Sequence, residues 1–439
     1  MKLLGGRDVP NSFTNMYISA KMELHSKTVE GVVLYIHRHI EKTILNTLKT
    51  FKVLLLTGPR QVGKTTTLQH VLADGEYSYV SLDDYNELET AKKDQKLFFL
   101  NHPGKLVIDE IQYAPELFRE IKRIVDQNDT YGQFVLTGSQ TFSLMQGVTE
   151  SLAGRVGIIR MNGLSMREML QDDFSAPMIP NETYFHAKRK SISGIRLWEK
   201  IHRGSLPELT KNPEINKERY YASYVNTYLE RDIRAISYIR DLGIFAKFLR
   251  VLAARLAQVI NYTEMANEVG VDSKTIKSWV SILEAAGLIF LIQPFSHNSL
   301  SRIVKNPVVY FADTGLAVHL LQWLTPETLM RGAMSSFILE NYAIAEIMKS
   351  FLNDGYIDPP VYFYRDKDKR EIDGIIDSSG ILYPIEIKQN ATPNKAMAKH
   401  FDILQKVDRY KIGTQIILCQ IDKKMYIGEN LLAYPVGEI

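Results

Sequence analysis

The stretch Gly58-Pro59-Arg60-Gln61-Val62-Gly63-Lys64-Thr65 constrains this chain more than any other, because it matches the pattern G-x-x-x-x-G-K-[ST] in full. Glycines at that spacing let successive backbone N–H groups turn inward around phosphate oxygens, and a helix leaving the loop adds the partial positive charge of its N-terminus. The flanks agree with the motif. The apolar run Val53 to Leu56 is expected to feed the loop as a strand, and Lys64-Thr65-Thr66 to open a helix. On this reading Gly58, Pro59, Arg60, Gln61, Val62, Gly63, Lys64, Thr65 and Thr66 wrap the phosphates of ATP. Lys64 neutralises the β and γ phosphates, and the Thr65 hydroxyl ligates Mg²⁺. A chance glycine turn would lack both flanks.

Beyond the loop, short apolar runs alternate with helix-length segments. Val53 to Leu56, Tyr79 to Leu82, Leu106 to Ile108, Phe134 to Leu136 and Ile158 to Met161 are each brief and largely apolar. This spacing predicts an α/β fold with a parallel sheet and crossover helices. Leu106-Val107-Ile108-Asp109-Glu110 ends in two carboxylates, which a parallel sheet carries to the edge where it binds ligands. Asp109 is expected to hold Mg²⁺ through water and Glu110 to polarise the attacking water. The run Phe134 to Leu136 leads into Thr137-Gly138-Ser139, where Ser139 is either a sensor of the γ-phosphate or a polar strand cap. Arg155 is a candidate to stabilise the transferred phosphoryl, in cis or across an oligomer interface; its plainer alternative is a surface ion pair. Asp83 and Asp84, at the end of the second strand, are expected mainly to solvate a loop.

Composition shifts near Gln171. Asp172, Asp173, Pro177, Pro180 and Asn181 make a breaker-rich bridge, and Lys188-Arg189-Lys190 starts a locally basic stretch. From about Trp198 to Ala286 the chain reads as mostly helix. Thr263 is expected to cap one helix, Gly270-Val271-Asp272 to turn, and Ser273 to cap a second helix through Leu283. Gly287 to Ile292 and Val308 to Phe311 then form a hairpin, which completes a winged helix. In a DNA-binding version Lys274, Thr275, Lys277 and Ser278 face the major groove, with Arg302 and Lys305 in the wing. The competing reading is a module that packs between domains or contacts protein.

The last hundred residues return to strands. A helix is expected over Phe337 to Phe351, strands at Val361 to Tyr364, Glu371 to Ile376 and Leu382 to Ile387, a helix around Lys395 to Val407, and a strand Thr414 to Leu418. Alternate side chains of a strand share a face, so Glu386 and Lys388 point together while Ile385 and Ile387 point to the core. A hairpin brings Asp373 beside them, and the preceding helix supplies Glu340. Acids converging with a lysine suit Mg²⁺-assisted phosphodiester hydrolysis, with Glu340, Asp373 and Glu386 as metal candidates and Lys388 acting on the attacking water. The element order is that of the PD-(D/E)XK nuclease core. An amphipathic hairpin with solvated charges is the alternative.

The 439 residues carry 53 Lys and Arg against 50 Asp and Glu, a net charge of +3 that neither excludes nor argues for nucleic acid. One cysteine, Cys419, ending the apolar run from Ile416, rules out an internal disulfide and a multi-thiolate zinc site. Met1-Lys2-Leu3-Leu4 runs straight into Gly5-Gly6-Arg7-Asp8 without the apolar core of a signal peptide. Apolar stretches fall far short of the ~20 residues that span a bilayer, so a cytoplasmic protein without membrane contact is expected.

Taken together, these motifs resemble a family of prokaryotic AAA-type ATP-binding proteins that join a P-loop ATPase domain to a C-terminal module of unknown function. The resemblance runs from about Tyr35 to the C-terminus. It rests on Leu56 to Thr65, Leu106 to Glu110, Leu136 to Ser139 and Ala153-Gly154-Arg155, then on Tyr228 to Ile233, Tyr310 to Leu316 and Ile385 to Lys388. It implies an AAA-like ATPase domain over 32–170, a helical linker and winged-helix region over 171–330 and a nuclease-like domain over 331–439, after an extension over 1–31. Two functions are expected to compete. One is an ATPase whose nucleotide state controls a DNA-directed C-terminal module; the other is a nucleotide-regulated interaction protein whose nuclease-like fold only binds partners. AAA-like relatives often form rings, so an oligomer is compatible with either.

Overall fold

The computed structural model describes residues 35–138, 148, 151–229, 242–296, 306–407 and 409–439, and residues 36–439 form one compact unit. The segment 1–31 lies outside the described residues, as do Ser139, Arg302 and Lys305.

The first layer is a five-stranded parallel sheet in the order β2-β3-β4-β1-β5. Its strands are β1 (Val53–Thr57), β2 (Tyr77–Ser81), β3 (Lys105–Asp109), β4 (Phe134–Gly138) and β5 (Val156–Arg160). Helices α1 (Glu41–Thr50), α2 (Lys64–Val71), α3 (Tyr85–Lys93), α4 (Gln95–Asn101) and α5 (Leu117–Asp126) accompany it. β1 is fully buried because it lies between β4 and β5 and is covered on both faces. Its alternation divides the core. Val53 and Leu55 pack with Phe98, Phe118 and Leu136 on one side, while Leu54 and Leu56 belong to a second, much larger core.

That second core continues into the rest of the chain. It takes in Trp198 of α6 (Gly194–Arg203), Phe248 of α8 (Leu242–Ala253) and Ile344 of α12 (Ser335–Asn353). Between them lie α7 (Lys217–Ser223), α9 (Tyr262–Val269), α10 (Ser273–Ala285) and α11 (Thr314–Leu320). α9 and α10 form the expected helix-turn-helix, but the caps differ. Asn261 accepts from the Glu264 N–H and Asp272 from the Thr275 N–H, one residue or more ahead of Thr263 and Ser273. Asn and Asp outrank Thr as caps, and each here has the extended backbone a cap needs.

The hairpin after α10, β6 (Ile289–Pro294) with β7 (Val308–Phe311), is antiparallel as expected, with Ile289 opposite Phe311. It does not stand alone as a wing. The end of β6 pairs in parallel with β8 (Val361–Arg365), so the hairpin forms one edge of a mixed sheet ordered β13-β14-β12-β10-β9-β8-β6-β7. The other strands are β9 (Glu371–Ser378), β10 (Ile381–Lys388), β12 (Gln415–Cys419), β13 (Met425–Gly428) and β14 (Leu431–Pro435), with short β11 (Lys411–Ile412) beside β10. β8, β9 and β10 form an antiparallel meander, and β12 joins β10 in parallel. Ile385 and Ile387 face the large core, as the alternation requires. The expected helix over Lys395 to Val407 is instead two 3-10 turns, Lys395–Ala398 and Phe401–Lys406.

Within the basic run near 190, Lys188 and Lys190 are exposed, while Arg189 is half-buried. The Arg189 guanidinium stacks 4.0 Å from the Tyr184 ring centroid and donates to the Glu438 carbonyl, and Lys190 Nζ caps the carbonyls of Leu170 and Gln171. Cys419 is fully buried, and burial pushes its thiol up to about 11, so it is an inert core residue.

Candidate functional site

β1 delivers the chain to Gly58 at φ +138°, where a Cβ would fall 2.0 Å from the Met161 carbonyl oxygen. Only glycine fits that turn. The loop bends on through Gln61 at φ +60° and enters α2 at Lys64. A cavity of about 440 Å³ opens in front, lined by Arg60, Gln61, Gly63, Lys64, Thr65, Thr66, Asp83, Glu110 and Tyr113. Lys64 Nζ donates to the carbonyls of Gly58 and Pro59, each at 2.9 Å.

β3 lies two strands from β1, and its last residue meets the loop. Thr65 Oγ1 donates to Asp109 Oδ2 at 2.8 Å. Asp109 also accepts from Thr137 Oγ1 and from the Tyr79 hydroxyl, so three hydroxyls hold one buried carboxylate. Burial and the Asp109 charge push the Tyr79 hydroxyl up, which keeps it a donor. Glu110, the next residue, sits at φ +57°. A non-glycine residue held there costs about 1–2 kcal/mol, and such strain gathers at functional positions. Burial raises the Glu110 carboxyl above its ordinary range, against the pull of Gln112 and Lys64. A raised carboxylate near the cavity is suited to take a proton from water.

Of the expected residues, then, the loop, Thr65, Asp109 and Glu110 come together. Arg155 does not. Its carbonyl bonds the Val53 N–H at the start of β1, and its guanidinium pairs with Asp126, Nη2 to Oδ2 at 3.1 Å. It therefore lies at the opposite end of a five-residue strand, ~16 Å long, from the phosphate loop. Asp84 caps α3 through the Asn86 and Glu87 N–H groups, while Asp83 lines the cavity.

The residues present fit a magnesium nucleotide. Inward-turned backbone, an ammonium, and a hydroxyl beside a carboxylate form the donor set that phosphate and an oxygen-seeking cation need.

Sequence reasoning missed Arg38, Tyr79, Thr137 and Tyr220. The buried Arg38 guanidinium donates to the carbonyls of Val62 (2.8 Å) and Asn162 (2.7 Å) and pairs with Glu168 at 3.1 Å. The Tyr220 hydroxyl, on α7, donates to Gln61 Oε1 at 2.9 Å. Thr137 was within reach of strand register, since Ile108 pairs with Leu136 and places Asp109 beside Thr137. The other three carry no local pattern.

A second cluster forms where α12, β9 and β10 meet. Lys388 Nζ is 2.6 Å from Glu386 Oε1 and 3.6 Å from Asp373 Oδ2. Asp373 also accepts from the Ile387 N–H at 2.7 Å, and Glu340 from the Tyr310 hydroxyl at 2.8 Å. Burial and the Asp373 charge push Glu386 up to about 8, and the same two causes raise Glu340 well above its ordinary range. Burial alone would lower Lys388, but the carboxylates of Asp373, Glu386 and Glu340 raise it. The four residues thus converge, with the ammonium set against Asp373 and Glu386. Among the described residues, three donors within 4.8 Å of one another occur at His37, Glu41 and His70, and these acids are not such a group. A cation held here would have to displace Lys388.

On the outer face of α10, Lys274, Lys277 and Ser278 are exposed, while the Thr275 hydroxyl is engaged by Asp272 at 2.7 Å. No helix among the described residues is long and apolar enough to cross a membrane.

Three parts of the chain match known family models. Residues 50–170 match the model of an AAA domain, residues 195–327 a domain of unknown function (DUF8612) and residues 335–439 a domain of unknown function (DUF4143). The chain is 26% identical over 438 residues to the uncharacterized protein Rv2008c of Mycobacterium tuberculosis, covering 99% of this chain and 91% of that one. It is 24% identical over 298 residues to the uncharacterized protein MJ1637 of Methanocaldococcus jannaschii, covering 61% of each. Among solved structures, the Walker-type ATPase PabY2304 of Pyrococcus abyssi is similar with a TM-score of 0.41 and 14% identity, covering 68% of this chain and 98% of that chain. The family match over residues 50–170 and the parallel sheet make the N-terminal α/β part a P-loop NTPase-like domain of AAA type, followed by a C-terminal mixed-sheet domain.

Proposed function

We propose that this chain is a Mg²⁺-dependent ATP hydrolase whose nucleotide loop reports to its C-terminal module. The observation that carries it is the bond between Thr65 Oγ1 and Asp109 Oδ2, which brings the hydroxyl after the phosphate-binding lysine onto the carboxylate that ends β3. A magnesium nucleotide bound here would supply cationic neutralisation of the charge that develops in phosphoryl transfer. Lys64 would neutralise phosphate, Thr65 and Asp109 would hold the cation, and Glu110 would take the proton of the attacking water. Phosphate release by the purified chain, compared with Lys64→Ala and Glu110→Gln, tests the assignment.

Communication with the C-terminal part has a physical route. Gly287, just after α10, approaches the loop so closely that a Cβ would lie 3.0 Å from Pro59 Cδ, and Tyr220 bonds Gln61. Movement of Pro59 or Gln61 as phosphates enter therefore presses on α7 and on the turn into β6.

A second reading concerns the output. The convergence of Glu340, Asp373, Glu386 and Lys388 supports a nuclease-like site for phosphodiester hydrolysis with Mg²⁺, and the exposed Lys274 and Lys277 support contact with DNA backbone through a winged-helix arrangement. The competing output is partner binding without cleavage, favoured by a Lys388 ammonium lying where a metal would be needed. Incubating DNA with the same preparation, with and without ATP, separates the two. Stabilisation of charge on the transferred phosphoryl by Arg155 belongs to this proposal only across an oligomer interface, since within one chain Arg155 pairs with Asp126.

A further inference from the structure

Outside both sites, three side chains from two elements come together beside the phosphate-loop helix. His37 precedes α1, Glu41 occupies its first turn and His70 lies in the last turn of α2. The His37 and His70 ring centroids are 5.3 Å apart at 79°, and His37 Nδ1 is 3.7 Å from Glu41 Oε2. One ligand atom from each residue lies within 4.8 Å of the other two. We propose that His37, Glu41 and His70 bind a divalent transition-metal ion of the Zn²⁺ class, which clamps the far end of the helix carrying Lys64 and Thr65.

The donor chemistry selects the ion. Two imidazole nitrogens and one carboxylate suit Zn²⁺, Co²⁺ or Ni²⁺, whereas Mg²⁺ seeks an all-oxygen shell. Ligands about 2.1 Å from a tetrahedral ion lie roughly 3.4 Å from each other, so closing the site asks for small rotations of side chains. The histidines are exposed, which makes those rotations accessible and gives the ion an entry path. Three protein ligands leave a fourth position to water.

Two further features favour the location. Glu41 Oε1 accepts from the Arg38 N–H at 2.6 Å, so one oxygen orients the carboxylate while the other faces His37. His70 stands at the C-terminal end of α2, where unsatisfied carbonyls favour a cation. Residues 37–41 would then grip α2 at both ends, since Arg38 already holds the Val62 carbonyl just before the helix begins. The site does not depend on ATP turnover.

Titration of the chelator-treated full chain with Zn²⁺, read by calorimetry in excess Mg²⁺ to suppress occupancy of the oxygen-rich sites at Asp109 and Glu386, tests it. We expect one ion per chain, bound about tenfold or more weakly by His37→Ala and His70→Ala. Melting in chelator must match wild type in both variants. If a variant unfolds, the Co²⁺ spectrum of the wild-type chain decides: visible bands without a near-ultraviolet sulfur band support nitrogen and oxygen ligation. Absence of saturable binding in wild type, binding that both variants retain, or a sulfur band overturns the proposal.

Discussion

Glu346 Oε2, midway along α12, accepts a hydrogen bond from the backbone N–H of Met166 at 2.6 Å. Its other oxygen pairs with Lys349 Nζ at 2.9 Å, and that ammonium donates to the Leu164 carbonyl at 3.1 Å. The segment just after β5, which contacts the phosphate loop through Met161, is therefore fastened to the helix that carries Glu340. Glu340 and Glu346 are six residues apart, a rise of about 9 Å along one rigid element. The two candidate sites are thus joined by buried, charged contacts.

Breaking that fastening exposes its energetic role. Glu346 and Lys349 side chains are 4% and 3% exposed, so Glu346→Ala strands a buried ammonium, at a cost of about 3–5 kcal/mol. Glu346→Ala combined with Lys349→Met is expected to recover much of the loss. Urea unfolding of the three proteins measures both; a single-variant loss below about 1 kcal/mol contradicts the assignment.

The pH dependence of stability follows from Glu168. Burial pushes this carboxyl up, but Arg38, His39 and the Ser165 and His39 N–H groups more than offset it and hold it below its ordinary range. A carboxyl depressed in the folded state contributes stability that is complete above its unfolded value and lost as pH falls through the folded one. Melting temperature is therefore expected to fall as pH drops below about 4.5. Glu168→Gln should be less stable at pH 7 and flatter across that acid range. An acid limb equally steep in the variant assigns the effect elsewhere.

Arg155→Ala is expected to leave ATP turnover within about twofold of wild type at concentrations where the chain is monomeric, because its guanidinium is paired with Asp126 at the far edge of the sheet. A loss of tenfold or more, appearing only as concentration rises, would place it in a neighbouring subunit's site instead.

How much of this was legible beforehand depended on the range of the interaction. The loop, its strand and its helix are local, and Thr65 with Asp109 follows from parallel topology once both motifs are seen. The faces of β10 followed from alternation alone, as did Ile385 and Ile387 in the core. Long-range partners left no such trace: nothing near Arg38 announces Glu168, 130 residues away, and nothing near Tyr220 announces Gln61. Charge in sequence likewise does not say that the Arg189 guanidinium meets the Tyr184 ring while Lys188 and Lys190 meet solvent. The caps of α9 and α10 were misplaced by one or two residues because Asn, Asp, Ser and Thr stand side by side there.

At the C-terminal cluster, Mg²⁺-dependent nicking of DNA is expected to disappear in Asp373→Ala and in Glu386→Ala. Gel analysis of supercoiled plasmid reads it. Plasmid left intact by the wild-type chain with Mg²⁺ and ATP, or cut equally by both variants, favours a module that binds partners without cleavage.

ATP hydrolysis at the Lys64 loop is tested most directly by phosphate release from ATP by the purified chain with Mg²⁺. Wild type is expected to turn over ATP, with Lys64→Ala reduced by about 100-fold or more, since the γ-phosphate loses the cation beside it. Equal phosphate release from the two proteins, or none from wild type with and without DNA, would contradict it.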